Sequence, residues 1–227
     1  MHKSILVVAA HPDDEVLGCG GTMARVSQEG AAVHVAFLAD GVSSRGGEAA
    51  DLKKAIRARR AAAEKASAKV GVSSLYFGDF PDNRLDTVAL LSLVQAIEEL
   101  IAKYRPDTMF THHAGDVNVD HRLVHQAAVT ACRPQPGHCV RTLLSFEVPS
   151  STEWQPPGSA PVFAPNWFVD ISDSLSRKLA ALEAYGGELR AWPHPRSREG
   201  VLHLAHWRGA TIGVNAAEAF MLGRRIS

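Results

Sequence analysis

Short apolar runs alternate with longer amphipathic ones over the first two-thirds of the chain. Residues 4–10 (Ser-Ile-Leu-Val-Val-Ala-Ala) predict a buried first strand, and residues 18–29 a helix after a Gly-rich turn. Residues 32–39 (Ala-Val-His-Val-Ala-Phe-Leu-Ala) predict a second strand, and the Ala/Arg/Lys-rich stretch 49–69, ended by Gly71, a long helix. Residues 74–77 read as a third strand and 87–103 as a strongly periodic helix. After the break at Pro106-Asp107, residues 108–111 predict a fourth strand, 120–132 a helix and 141–146 a fifth strand. Strands separated by helices are βαβ units. The expected class is therefore α/β, a Rossmann-like, mostly parallel sheet with helices on both faces.

The pattern changes after Phe146. Five prolines between Pro149 and Pro165 exclude regular structure, while Trp154 and Phe163 can anchor an ordered loop. Residues 167–170 then predict a short strand, and 171–185 a helix capped by Ser172 or Asp173. A second loop, Trp192-Pro193-His194-Pro195-Arg196-Ser197, precedes a helix–strand–helix stretch from Gly200 onward. We expect residues 1–148 to form the α/β core carrying the chemistry. Residues 149–227 are expected to form a C-terminal elaboration over the strand ends, within one domain overall.

Composition narrows the function classes. The 227 residues carry 24 Lys plus Arg and 24 Asp plus Glu, so the net charge is zero and the basic excess of a nucleic-acid binder is missing. No run approaches the roughly 20 apolar residues of a membrane helix, so membrane insertion is not expected. The apolar run at the start stops at His11-Pro12-Asp13-Asp14-Glu15, too polar and too early for an export signal. Cys19, Cys132 and Cys139 form no C-x-x-C pair, and an odd count suits a reducing cytoplasm better than a disulfide framework.

Open parallel sheets take ligands beyond the carboxyl ends of their strands. His11, Asp13, Asp14 and Glu15 leave the first strand there. His11 and Asp14, three apart across a turn, suit two ligands of one divalent ion, and Asp13 suits a base acting on water. A solvated acidic loop with a helix cap is the alternative. Gly18, Gly20 and Gly21 with Asp40 also suggest a dinucleotide site. Against it, Met23 stands where the third glycine of G-x-G-x-x-G belongs, and two acids would face a pyrophosphate. A second polar cluster, His112-His113-Ala114-Gly115-Asp116-Val117-Asn118-Val119-Asp120-His121, follows the fourth strand. His121 at a helix start is a candidate third ligand, with Asp120 placed to orient its ring. Three protein ligands leave the open position of a catalytic zinc. His112 and His113 are candidates to line the pocket, one of them satisfied instead by backbone. His125, one helical turn past His121, reads as structural or surface.

These motifs resemble those of the PIG-L/LmbE-like deacetylases, zinc enzymes that remove acetyl groups from N-acetyl amino sugars. The resemblance is carried by Ala10-His11-Pro12-Asp13-Asp14-Glu15, Gly18-Cys19-Gly20-Gly21, Gly78-Asp79-Phe80-Pro81-Asp82-Asn83-Arg84-Leu85 and Asp120-His121. Pro193-His194-Pro195-Arg196-Ser197 and Ala217-Glu218-Ala219-Phe220 extend it over nearly the whole chain. It implies one zinc ion per chain on His11, Asp14 and His121, with Asp13 as general base. Many members have a histidine three residues before the third ligand, helping to stabilise the oxyanion. Here that residue is Asn118, which donates a hydrogen bond but no proton at neutral pH. His194, clamped between two prolines, is then the candidate acid.

Asp79, Asp82, Asn83 and Arg84 suit sugar hydroxyls or a substrate anion, and Arg196 and Glu218 are expected to cover the pocket. Trp154 and Trp192 are loop anchors or sugar platforms, Cys19 is small packing, and Arg57, Arg59, Arg60 and Lys65 form a solvated face. The expected activity is zinc-dependent N-deacetylation of a small acetamido sugar or glycoconjugate, in a protein compatible with homo-oligomerisation. A metal-dependent amidohydrolase on a non-sugar amide is the nearest alternative. A dinucleotide-dependent oxidoreductase and a non-catalytic sugar-binding module follow it.

Overall fold

The computed structural model describes residues 3–46 and 48–227. Among them, β1 (Ser4–Ala9), β2 (Ala32–Ala39), β3 (Ser74–Phe80), β4 (Thr108–His112), β5 (Thr142–Phe146), β6 (Trp167–Asp170) and β7 (Ala217–Arg225) form one sheet in the order β3-β2-β1-β4-β5-β7-β6. The first five pair in parallel, and β7 runs antiparallel between β5 and β6. Alternation along β1 divides the core in two, as strand geometry requires. Ile5, Val7 and Ala9 join a layer with Leu17 and Met23 of α1 (Asp14–Gln28), Ala63 and Ala66 of α2 (Ala49–Val70) and Leu182 of α5 (Leu175–Ala184). Leu6, Val8 and Ala10 join the opposite layer with Leu93 and Ile97 of α3 (Leu90–Tyr104) and Val124 of α4 (Val119–Ala131). From β1 the chain builds to one side through β2 and β3, then crosses to β4 on the other. The carboxyl ends of β1 and β4 therefore flank the switch point where such sheets hold their ligands.

Several boundaries differ from the expected ones for physical reasons. α1 begins at Asp14 rather than residue 18, because the Asp13 carbonyl already accepts from Val16 N and Leu17 N. The glycines that suggested a turn lie inside this helix, which kinks at Cys19 (φ −146°). They allow close approach: a Cβ on Gly18 would overlap the Phe146 ring, and one on Gly21 would meet Ile171. α3 starts at Leu90, after a 3₁₀ turn over Leu85–Thr87. α5 follows Ser174, since Ser172 is bonded to Asp170 instead. The expected helix at the C-terminal end is strand, because pairing with β5 and β6 carries β7 on to Arg225 after α6 (Arg198–Ile212).

Glu218 is also placed differently from expectation. It does not cover a pocket; its carboxylate accepts from Gly21 N, Thr22 N and Lys178 Nζ, tying β7 to the second half of the kinked helix. Lys178 and Glu218 are both buried. Removing one partner leaves the other charge uncompensated, so Lys178→Met should cost about 3–5 kcal/mol in urea unfolding. Lys178→Met/Glu218→Leu together should recover part of that loss.

Candidate active site

β1 delivers its last residues to the switch point. Ala10 N donates to His112 Nε2 (2.8 Å), and the backbone then turns so that His11 N donates to Asp14 Oδ2 (2.9 Å). The two ring nitrogens of His11 face different partners. Nε2 lies 3.0 Å from Asp120 Oδ2 and 3.1 Å from Asp82 Oδ1, and Nδ1 lies 3.3 Å from Asp14 Oδ2. A carboxylate can only accept, so Nε2 donates to Asp120 and Asp82, and Nδ1, on the Asp14 side, is the nitrogen whose lone pair becomes available to an ion once its own proton is lost. His121, on the first turn of α4, is arranged in the mirror sense. Its Nδ1 is 3.2 Å from Asp116 Oδ1, and its Nε2 is 3.3 Å from Asp14 Oδ2. His11, Asp14 and His121 thus bring one donor atom each within 4.8 Å of one another. Asp14 Oδ1 and His121 Nε2 are buried without a hydrogen-bond partner. Unpaired buried polar atoms are expensive, and an imidazole–carboxylate–imidazole set with two such atoms fits a divalent first-row cation. Asp82 and Asp120 also group with His11, but through its protonated Nε2, which makes them ring-orienting acceptors.

Electrostatics agree with a site built for positive charge. Burial opposes protonation of His11, yet Asp120, Asp14 and Asp82 outweigh it and lift its pKa to about 10. The same contest, won by Asp14 and Asp116, lifts His121 to about 9. Burial pushes Asp14 up, but His121 and His11 prevail and hold it well below the usual carboxylate range.

The carboxylate behind His121 is Asp116, not Asp120. Asp120 faces His11 and accepts from Asn83 N (2.7 Å) and Leu85 N (3.0 Å), linking the segment after β3 to the site. Asp116 is held by the hydroxyls of Ser151 and Thr152, from the loop after β5, and by Asn118 N. It lay in the polar run after the fourth strand, but its role depends on that loop folding back over it.

Asp13 is buried beside the cluster. Its Oδ2 lies 3.2 Å from Arg196 Nη1 and 3.6 Å from Arg59 Nη1. Burial pushes its pKa up to about 6, with Arg196 opposing and Asp14 adding to the rise. Arg196 is itself tethered to Pro149 O and Ser150 Oγ. Arg59, expected on a solvated face, is buried. It donates to Pro12 O and Gly41 O and pairs with Glu188. It shares a stripe with Ala63, Ala66 and Val70, so the inward face of α2 begins with a guanidinium.

The remaining candidates divide. Asp82 is fixed by Ser43 and Ser44. Asn83 Oδ1 accepts from Asn118 Nδ2 (3.1 Å), while Arg84 is exposed. Asn118 caps α4 by accepting from Asp120 N; its carboxamide has a second hydrogen, so a bond toward substrate is compatible with this role. His112 does not line a pocket: it is buried, stacked on His121 at 3.9 Å, and used by Ala10 N. Burial and the neighbouring His121 hold it neutral. His113 donates from Nε2 to Pro161 O and meets Phe163 edge-on, anchoring the proline-rich loop. His125 donates from Nδ1 to the His112 carbonyl. His194 accepts at Nδ1 from Arg196 N and meets Trp154 edge-on.

Comparisons with known proteins identify the family and the fold. Residues 6–132 match the family model PIG-L, described as GlcNAc-PI de-N-acetylase. The chain is 30% identical to the uncharacterized deacetylase YaiS of Escherichia coli K12, over 81% of this chain and 90% of that protein. It is 29% identical to 4-oxalmesaconate hydratase of Pseudomonas putida, over 85% of this chain and 76% of the relative. It is 30% identical to diacetylchitobiose deacetylase of Thermococcus kodakarensis, over 81% and 69%. The solved N,N'-diacetylchitobiose deacetylase of Pyrococcus horikoshii superposes with a TM-score of 0.79, covering 98% of this chain and 84% of its own, at 21% identity.

Proposed function

Because the chain belongs to the PIG-L (GlcNAc-PI de-N-acetylase) family, we propose that it is a zinc-dependent N-deacetylase releasing acetate from a small N-acetyl amino sugar or glycoconjugate. The observation that carries the reading is the convergence of His11, Asp14 and His121, with the Asp13 carboxylate beside them. His11 Nδ1, an Asp14 oxygen and His121 Nε2 would hold one ion per chain. Bound there, zinc polarises an amide carbonyl and lowers the pKa of water.

The chain's own groups supply the rest. Asp13 Oδ2 is occupied by Arg196, so Oδ1 is the oxygen that takes the proton of the attacking water. Negative charge growing on the carbonyl oxygen meets the remaining amide hydrogen of Asn118 as a fixed donor. The departing nitrogen takes its proton from Asp13 or from His194. Asn83, Arg84 and Arg196 border the same strand ends and are the groups we assign to sugar hydroxyls, whereas Asp82, buried and committed to His11 and Ser44, is not among them. A reducing cytoplasm suits the three free cysteines. Among the described residues no helix is long and apolar enough to cross a membrane.

The Arg196 guanidinium, partly exposed beside Asp13, favours a second reading, an anionic substrate that is hydrated rather than deacetylated, as the name of the Pseudomonas relative describes for that protein. One panel separates the two. Zinc-loaded protein should release acetate from N-acetylhexosamine derivatives and leave the ultraviolet absorbance of unsaturated dicarboxylates unchanged; the reverse result establishes the hydratase.

Two further outcomes test individual roles. Asp116→Ala should weaken zinc binding about 10–100-fold in chelator competition, because the His121 ring loses its orienting acceptor. His194→Ala should keep zinc but lower kcat and move the basic limb of the pH–rate profile, since that limb reports the essential acid. An unaltered profile would leave Asp13 to serve as both base and acid.

A further inference from the structure

Three features that this chemistry leaves unused meet at one point. Asp13 has φ 128° and ψ −27°, a conformation that an L side chain holds only when its surroundings enforce it. Glu15, two residues on, is fully buried, and its carboxylate accepts from Asp13 N (Oε2, 3.0 Å) and from Tyr185 OH (Oε1, 2.7 Å). Tyr185 is also buried; it stands just past α5, 170 residues away in sequence.

An aspartate preceding a helix ordinarily sits in the extended region and turns its own carboxylate back onto the first amides. Asp13 does neither: its side chain makes no cap bond and lies against Arg196 instead. Glu15, two residues on rather than the three of a capping box, reaches back to the Asp13 amide in the same sense. The exchange leaves the Asp13 carboxylate clear of the helix end, beside the ligand cluster.

We propose that Glu15 and Tyr185 are positioning residues for Asp13: the Tyr185 hydroxyl fixes the Glu15 carboxylate, which fixes the strained Asp13 peptide and so aims the Asp13 carboxylate. This rests on the reading of Asp13 as the base. A cap that served only the helix would affect stability alone. A positioning pair affects kcat at constant metal content and KM.

The test uses zinc-loaded full-length protein. Tyr185→Phe keeps the ring and removes the hydroxyl; Glu15→Ala removes the acceptor. Both should retain one zinc per chain and a KM within twofold of wild type, and lose kcat on the order of tenfold to a hundredfold, the scale of a misplaced catalytic group. Glu15→Gln should rescue most of the kcat lost in Glu15→Ala, because its amide oxygen still accepts from Asp13 N and its NH₂ can donate to the Tyr185 oxygen. Crystal structures should show the Asp13 peptide relaxed to negative φ in Glu15→Ala and its carboxylate displaced in Tyr185→Phe.

Wild-type kcat in both variants would overturn the proposal, as would an unmoved Asp13 in both structures. Loss of fold or zinc in parallel with activity across all three variants would make the pair purely structural, which also overturns it. A wild type that releases no acetate from any substrate defeats the deacetylase reading alone, because the position of Asp13 in the variant structures still decides this one.

Discussion

Alanine at His121 is expected to leave the protein folded and nearly without metal. The imidazole supplies one of three donors, its Nε2 is buried with no hydrogen-bond partner, and its Nδ1 is already committed to Asp116. Among the described residues, His11, Asp14 and His121 form one candidate ligand set, and the other, His11 with Asp82 and Asp120, reaches His11 through its opposite nitrogen. His112, stacked on the same ring, uses Nε2 for Ala10 N and is held neutral behind the cluster. Losing a ligand should cost more than the roughly 10–100-fold that an orienting partner of a ligand contributes. Elemental analysis after dialysis should therefore give well under one zinc per chain for His121→Ala, and likewise for His11→Ala and Asp14→Ala. Acetate release should fall to background in all three. Full occupancy in His121→Ala would remove His121 from the ligand set and direct attention to Asp82 and Asp120, the other carboxylates around His11.

How much of this is legible in the sequence depends on how far apart the partners lie along it. β1 and its two-sided burial follow from six consecutive residues, and the His11–Asp14 pair from a single turn, so the sequence pattern was sufficient for both. His121 was readable as a histidine opening a helix after a strand. Asp116 was not, because Ser151 and Thr152 select it from 35 and 36 residues away. The partner of Glu218 at Gly21 lies 197 residues off, beyond any local pattern. Arg59 is a different case. The 3.6-residue stripe of Ala63, Ala66 and Val70 includes position 59, so the inward face of α2 was written in the alanines while the cluster of basic residues argued for solvent. The C-terminal end is strand and not helix for a tertiary reason: β5 and β6 leave an antiparallel slot that Ala217–Arg225 fills.

Asn at position 13 should separate the base from the ligands. Asp13 sits next to Asp14 in sequence, yet the two carboxylates face different surroundings. Asp14 is 3.3 Å from both His11 Nδ1 and His121 Nε2, whereas Asp13 Oδ2 faces Arg196 and Arg59. Asp13→Asn keeps the size of the side chain and, with the carboxamide oxygen turned to Arg196, keeps that hydrogen bond. At the other position it places an NH₂, which cannot take a proton from water. Zinc content and thermal stability should therefore stay near wild type, while kcat falls about a hundredfold or more, the usual scale for losing a general base. Asp14→Asn should do the opposite and lower zinc occupancy first, because it weakens the one anionic donor of the set. Parallel measurement of zinc and kcat in the two variants decides the assignment. If Asp13→Asn sheds zinc while Asp14→Asn keeps it, the two roles are exchanged; if Asp13→Asn keeps both zinc and kcat, proton abstraction lies elsewhere in the site.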